Sequence, residues 1–411
     1  MEQDVVHLQG GGSKEDRQAR STRRRAFWVV AYALSMTIMG NNIPAPLYPV
    51  YQGLWHFSTG MLTVVFAVVA VGVFPALLFL GPLSDVRGRR PVLLLGVALA
   101  LAGAVVFILA QGVAWLIVAR LLQGLAFGAL SGTATATLTE LEPQGSVQRA
   151  ALVATVAIVS SQAIAPLLSG TLAQYAPLPT MLVYLVLAVL LVPALLGIWT
   201  IPETVKTAGA SSSAPRLGVP RAIRRPFTLA SVAVFSAFGT VGLISALGPS
   251  LASTLLHVQN RAVGGLVVFA LLGTSALTQI LCRTWPLRRN LVVGLIAMIV
   301  GLIVFVGALP LETLTVFLFG IVLTGFGQGL TYLGSQELVS SIVTAQQRGE
   351  VFSVFNLVVY LGASAAALGV GFGAGLLGFY QATVTVVSVI CVLALIAGIV
   401  SAWTPLLTRQ P

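Results

Sequence analysis

The sequence predicts an all-α membrane protein of twelve transmembrane helices, arranged as two pseudo-symmetric six-helix bundles. Three observations carry this expectation. The chain of 411 residues is 57% hydrophobic and 8% charged, whereas soluble domains hold about 25% charged residues. Its apolar residues gather into twelve runs, and a bilayer core needs about 20 helical residues per crossing. The last six runs repeat features of the first six.

The runs lie at 26–48, 61–82, 91–110, 113–138, 149–173, 180–200, 227–250, 262–283, 290–309, 313–338, 350–374 and 379–402. Residues 1–25 form a polar, basic tail with no cleavage site behind it, so the first run is expected as an uncleaved anchor. That run is interrupted near its end by Pro44, Pro46 and Pro49. Prolines are tolerated there if the helix lines a cavity or leaves the bilayer. Residues 203–226 include Ser211-Ser212-Ser213, Pro215, Pro220 and Pro226 and read as a flexible polar linker. The linker separates a half at 26–202 from a half at 227–402, and a short tail follows at 403–411. Gln123-Gly124-Leu125 matches Gln328-Gly329-Leu330, Gly96 matches Gly294, and Arg149 matches Arg348. Repeated halves around a mid-membrane site are the plan of secondary transporters.

The basic residues set the expected orientation. With twelve crossings both ends share one side, and 20 of the 22 lysines and arginines then fall on that side. Arg261 falls on the other side, and Arg120 lies within a run. Positive residues concentrate in cytoplasmic loops, so the termini and the linker are expected in the cytoplasm. Much arginine, little lysine and abundant alanine and glycine suggest a GC-rich bacterial genome, hence a bacterial inner membrane. The net charge of +11 is explained by anchoring at lipid headgroups. Aromatic and basic residues are not interleaved as on a nucleic-acid surface, so no nucleic acid is expected.

Cys282, Cys391 and the three histidines have no ligand spacing, which argues against a disulfide framework or a metal site. No phosphate-binding glycine loop and no nucleophile–base pair is present, so neither an enzyme nor a cofactor is expected. Energy would come from an ion gradient or from the substrate's own gradient.

The most specific motif is Gly81-Pro82-Leu83-Ser84-Asp85-Val86-Arg87-Gly88-Arg89-Arg90. Asp85 would end one helix, Gly88 would let the chain reverse, and Arg87, Arg89 and Arg90 would sit at the headgroups. The stretch resembles motif A of the major facilitator superfamily, G-x-L-x-D-[RK]-x-G-[RK]-[RK], with a departure at Val86. In that family the aspartate gates the cytoplasmic side by docking on the start of helix 11, here near Gly349. Arg120-Leu121-Leu122-Gln123-Gly124 resembles motif B of the same family, whose arginine is linked to proton coupling or to organising the cavity. The alternative role for Arg120 is bracing, by hydrogen bonds to helix-1 carbonyls.

Ser161 to Gly170, with Ala165, Pro166, Ser169 and Gly170, resembles a degenerate motif C of the antiporters. Gly40 to Pro49 resembles a helix-1 pattern of twelve-helix drug antiporters. The resemblance covers residues 26–402 and implies a drug or metabolite:proton antiporter.

The candidate cavity residues come from five runs. They are Asn41 and Asn42 in run 1, Phe127 in run 4, Phe235 in run 7, Gln328 and Tyr332 in run 10, and Asn356 and Tyr360 in run 11. The asparagines could instead be interhelical glue. No acid lies in the middle of runs 1 or 2. Glu337, near the inner end of run 10, is the first candidate proton carrier and Glu140 the second; both could equally be ordinary interfacial charges. An apolar pocket with few polar groups suits a small amphipathic molecule. The expected partners are therefore a small-molecule substrate, protons and membrane lipids, with the chain acting as a monomer. Two alternatives stand beside proton-linked export: uncoupled or inward transport of a neutral solute, and a non-transporting receptor or scaffold.

Overall fold

A computed structural model of the chain describes residues 14–204, 218–344 and 347–403. Most of the tail at 1–25, the core of the linker at 203–226 and most of the tail at 403–411 lie outside the described residues. Twelve helices are long and apolar enough to cross a membrane: α1 (Arg20–Trp55), α2 (Thr59–Arg87), α3 (Arg89–Ile108), α4 (Val113–Leu141), α5 (Val147–Tyr175), α6 (Leu182–Thr200), α7 (Arg221–Thr254), α8 (Arg261–Leu281), α9 (Leu287–Ala308), α10 (Leu314–Ile342), α11 (Arg348–Leu377) and α12 (Phe379–Trp403). The described residues contain no strand. The helix leading into α1 begins at Lys14, so part of the expected tail is helical. Twelve crossings put both ends at one face, called here the terminus face.

Helices in lipid gain little from excluding apolar surface, so association relies on close approach of small residues. A methyl group at Gly72 of α2 would fall 2.5 Å from the Leu121 carbonyl oxygen of α4. One at Gly327 of α10 would fall 2.3 Å from the Met298 nitrogen of α9. The internal repeat holds at this level. Gly124 of α4 packs on the α2 backbone at Val69, and Gly329 of α10 packs on the α8 backbone at Ser275. Gly96 of α3 meets Leu130, and Gly294 of α9 meets Leu330 and Thr331.

The break in α1 has a simple cause. Proline has no N–H, so Pro44 cannot donate to the Gly40 carbonyl four residues back. The helix stops at Asn42, turns through a short 3₁₀ segment at Ala45–Leu47 and resumes at Tyr48–Trp55. The Leu47 N–H goes to the Pro44 carbonyl instead of to that of Ile43. The carbonyls of Gly40, Asn41 and Ile43 therefore need donors from other helices.

The two halves meet along seams at the face opposite the termini. At one seam Gly371 of α11 lies against the Thr63 side chain of α2, and Gly60 lies against Phe372. At the other, Gly170 of α5 lies against the backbone of Arg261 and Gly265 of α8. The α2–α11 contact continues to mid-membrane, where Phe74 and Tyr360 meet edge to face with ring centres 5.9 Å apart.

A packing test follows from α7 and α11. A methyl at Gly242 would sit 1.9 Å from the Ala363 carbonyl oxygen, whereas one at Gly132 of α4 meets nothing within 4 Å. Gly242→Ala should lower the thermal unfolding midpoint in detergent, with a cost of about 1–3 kcal/mol for overpacking. Gly132→Ala should leave the midpoint unchanged or raise it.

Candidate functional site

Between the halves lies a cavity of 340 Å³. From the first half it is lined by Asn41, Asn42, Phe66, Arg120 and Phe127, and by Gln162 of α5. From the second it is lined by Phe238, Gln328, Tyr332, Asn356 and Tyr360, and by Ser245 of α7. Leu77, Gln279 and Gln336 extend the lining to within about three turns of the terminus-face ends of α2, α8 and α10. The opposite face is closed by the seams, so this conformation opens toward the terminus face.

Arg120 is 3% exposed. Its Nη1 donates to the Asn41 carbonyl (2.6 Å) and to Gln123 Oε1 (3.0 Å). Gln123 Nε2 in turn donates to the Gly40 carbonyl at 2.7 Å. Ser169 Oγ of α5 donates to the Ile43 carbonyl at 2.7 Å. The three carbonyls freed by the broken helix are thus taken by motif B and by the small-residue face of α5. Bracing and cavity lining, posed above as alternatives for Arg120, coexist. The Phe66 ring centre lies 5.8 Å from its guanidinium carbon. Its buried Nε has no hydrogen-bond partner among the described residues.

Gly124 provides the close approach of α4 to α2. Ala165 and Pro166 are buried in α5, and the Pro166 carbonyl lies against Gly265 of α8. The motif C-like face is therefore a helix–helix seam between the halves. In the second half, Ser275 Oγ hydrogen-bonds Gln328 Oε1, and Gln279 Nε2 donates to Ser275 Oγ at 3.1 Å.

Two sequence expectations need correction. Phe235 does not line the cavity. Phe238, one turn further along α7, lines it instead with Val241 and Ser245, while the Phe235 backbone packs against Gly362 of α11. Glu337 is half-buried but off the cavity lining; its neighbour Gln336 points there instead. A third finding concerns Glu142. It is 1% exposed, accepts from the Gln144 and Ser146 N–H groups and pairs with Arg149 at 3.3 Å. Sequence reasoning also passed over Gln162, Gln279 and Gln336. The available signal was an amide inside an apolar run, a placement costly enough in lipid to mark a cavity or a packing site.

The motif A loop is built as an ion cluster between the first half and the start of the linker. Gly88 has φ 104°, and a methyl there would strike Glu203 Oε2 at 2.4 Å, so glycine is required twice over. The Glu203 carboxylate accepts from the Arg89 and Arg90 N–H groups at 2.8 and 3.1 Å, capping the start of α3 where the helix dipole favours an anion. The Arg89 side chain pairs with Asp85, with Glu140 at 3.1 Å and with Ser84 Oγ at 2.7 Å. Arg89 is therefore an ion-cluster residue and not a headgroup anchor, while Arg87 is exposed. Glu140, the second candidate carrier, is engaged by Arg89 and by the Thr204 hydroxyl. Among the described residues Asp85 pairs with Arg89 and not with the start of α11, in a conformation open on the face that such docking would close. Nothing packs where a methyl at Gly81 would lie. The pseudo-symmetric loop has no acid; there Arg289 stacks on Trp285 at 3.9 Å and Arg288 bonds the Ala402 carbonyl.

The family model of the Major Facilitator Superfamily matches residues 30–367. The chain belongs to this superfamily of transporters. Members of this family are multi-pass membrane transporters and not enzymes. The chain's sequence is 36% identical over 149 residues to the multidrug transporter MdfA of Yersinia pestis bv. Antiqua (strain Angola), a match covering 36% of each chain. It is 27% identical over 362 residues to the multidrug transporter MdfA of Edwardsiella ictaluri (strain 93-146), covering 82% of this chain and 85% of that one. Its fold is similar to a bacterial homologue of the human lysosomal transporter Spinster, at TM-score 0.73 and 16% identity, covering 96% of this chain and 100% of that one. A mutant form of the nucleoside transporter NupG superposes at TM-score 0.71 with 11% identity, covering 93% and 99%.

At the closed face, Arg261 begins α8 and reaches the end of α5. Its N–H donates to Gln174 Oε1 (2.8 Å) and its Nη1 to the Ala173 carbonyl (3.0 Å). A cation at a helix C-terminus contributes about 0.3–1 kcal/mol. Arg261→Ala should raise the population open at this face by up to about fivefold, about 1 kcal/mol. Spin labels at the exposed positions Leu178 and Leu376 should report a larger long-distance fraction. A wild-type distance distribution in Arg261→Ala would show that the residue does not hold the seam.

Proposed function

We propose that the protein exports small amphipathic compounds, drug-like or metabolite, from a bacterial cytoplasm by alternating access, drawing on the proton gradient. The observation that carries this reading is the cavity between the halves, open toward one face and sealed at the other. Its aromatic and amide lining suits molecules with an apolar body and a few polar groups. Export is supported by the likeness to the multidrug transporters of Yersinia and Edwardsiella and by the antiporter-like face of α5. The concentration of basic residues at the terminus face supports placing both ends in the cytoplasm. Glu337 supports the proton link as an acid on a membrane helix that forms no ion pair among the described residues. A second reading, uncoupled transport of a neutral solute, is favoured by one observation: no acid among the described residues lines the cavity.

Orientation is tested by cysteine labelling after replacing Cys282 and Cys391. Ser58, exposed between α1 and α2, should react as a cysteine with an impermeant maleimide in intact cells. Arg225, exposed near the start of α7, should react only after lysis. The reverse pattern would invert the topology.

The transport reading is tested in proteoliposomes with an imposed pH gradient and a panel of dyes and antibiotics. Wild-type protein should concentrate part of the panel against its gradient. Glu337→Gln should abolish that accumulation yet spare downhill counterflow, because an amide exchanges no proton while alternation continues. Transport indifferent to collapse of the pH gradient would favour the uncoupled reading. The absence of movement of any compound would end both.

A further inference from the structure

We propose that the cavity is a site for monoanionic amphipathic molecules, with a carboxylate or sulfonate seated on the Nε/Nη2 edge of Arg120. This rests on the cavity identified above and names the class of substrate it takes.

The guanidinium has five donors in a rigid planar fork. The protein's acceptors, the Asn41 carbonyl and Gln123 Oε1, both lie on Nη1. Among the described residues no group accepts from Nε, which is fully buried, and no hydrogen bond reaches Nη2. Nε and Nη2 form one straight edge of the fork, the edge that receives a carboxylate by two parallel hydrogen bonds. Both protein acceptors are also neutral. They satisfy donors but leave the positive charge uncompensated in a low-dielectric interior, where an unpaired cation is costly.

The surroundings supply no counter-charge. Asp85, Glu140 and Glu142 are tied to arginines at the terminus face. Glu337 is off the cavity lining, and no acid among the described residues lines it. An anion entering the cavity would complete both the fork and the charge balance. A cation would meet like charge, and a neutral molecule would leave the cost in place. A dianion would bring one charge more than Arg120 can offset. The remaining walls suit the rest of such a molecule: Phe66, Phe127, Phe238 and Tyr360 offer apolar faces, and Asn356 and Gln336 offer amides.

The test is binding to the purified full-length protein in lipid nanodiscs, by calorimetry, of three matched probes: 2-naphthoate, 2-naphthamide and 2-naphthylmethylammonium. A charged hydrogen-bond pair should make the carboxylate bind about ten- to a hundredfold tighter than the amide, with the ammonium weakest. Arg120→Gln should bring the naphthoate-to-naphthamide ratio close to one, a loss of discrimination that uniform weakening from damage to the fold would not produce. Arg120→Lys keeps the charge without the fork and should leave an intermediate ratio. Wild-type protein that binds the amide as tightly as the carboxylate overturns the proposal whatever the variants do. So does a preference that survives Arg120→Gln, or binding of none of the three. If none binds while vesicles still export neutral compounds, the anion site falls and the export reading stands. If naphthoate binds as expected but no vesicle transports any compound, the site stands and the export reading falls.

Discussion

A broken helix and a buried arginine each resolve the other's difficulty, and the centre of the molecule depends on that exchange. Pro44 removes the donor for the Gly40 carbonyl, and the 3₁₀ turn leaves those of Asn41 and Ile43 open. In hydrocarbon each unpaired carbonyl would cost several kcal/mol. Gln123, Arg120 and Ser169 supply the three donors. Arg120 in turn gains acceptors that allow it to be buried, and it is held with one edge of its fork turned away from them. Three motifs distant in sequence thus form one hydrogen-bonded unit joining α1, α4 and α5.

The seams between the halves have a different character from the contacts within them. At the closed face, glycine-to-backbone approaches are joined by a few hydrogen bonds from Arg261. Such contacts can separate as two rigid surfaces without exposing a charge to lipid. The ion cluster of Asp85, Arg89 and Glu140 lies inside the first half, joined by Glu203 from the start of the linker, and none of it reaches the second half. It can stiffen that half through a rocking motion without being broken by it. This division, charged contacts within a body and small-residue contacts between bodies, suits alternation about a central site.

The cavity's chemistry is defined as much by its charge as by its shape. One cation, several amides and a set of aromatic rings line it, and the acids of the described chain are placed elsewhere. Glu337, an acid on a membrane helix that forms no ion pair among the described residues, is one residue from the lining. Any coupling through it would have to act on the packing of α10 and not on the ligand directly.

Twelve crossings, two related halves and the family were legible in the sequence because lipid imposes strong, local rules. A helix must be apolar for about 20 residues, and motif A places its residue types at fixed spacing in a short loop. The residues expected to line the cavity by side-chain type and position do so, apart from Phe235. Phe235 does not, because it sits one turn short of the cavity with its backbone packed on Gly362, and the sequence does not say how deep along α7 the cavity begins. Arg89 fits a headgroup anchor in the sequence, because its partners Glu140 and Glu203 are set by how helix ends meet. The role of Arg120 was undecidable from its neighbours in the chain. Its acceptors include a carbonyl 79 residues away, which a proline-broken helix exposes, and only folding brings that carbonyl and the free edge of the guanidinium into one place.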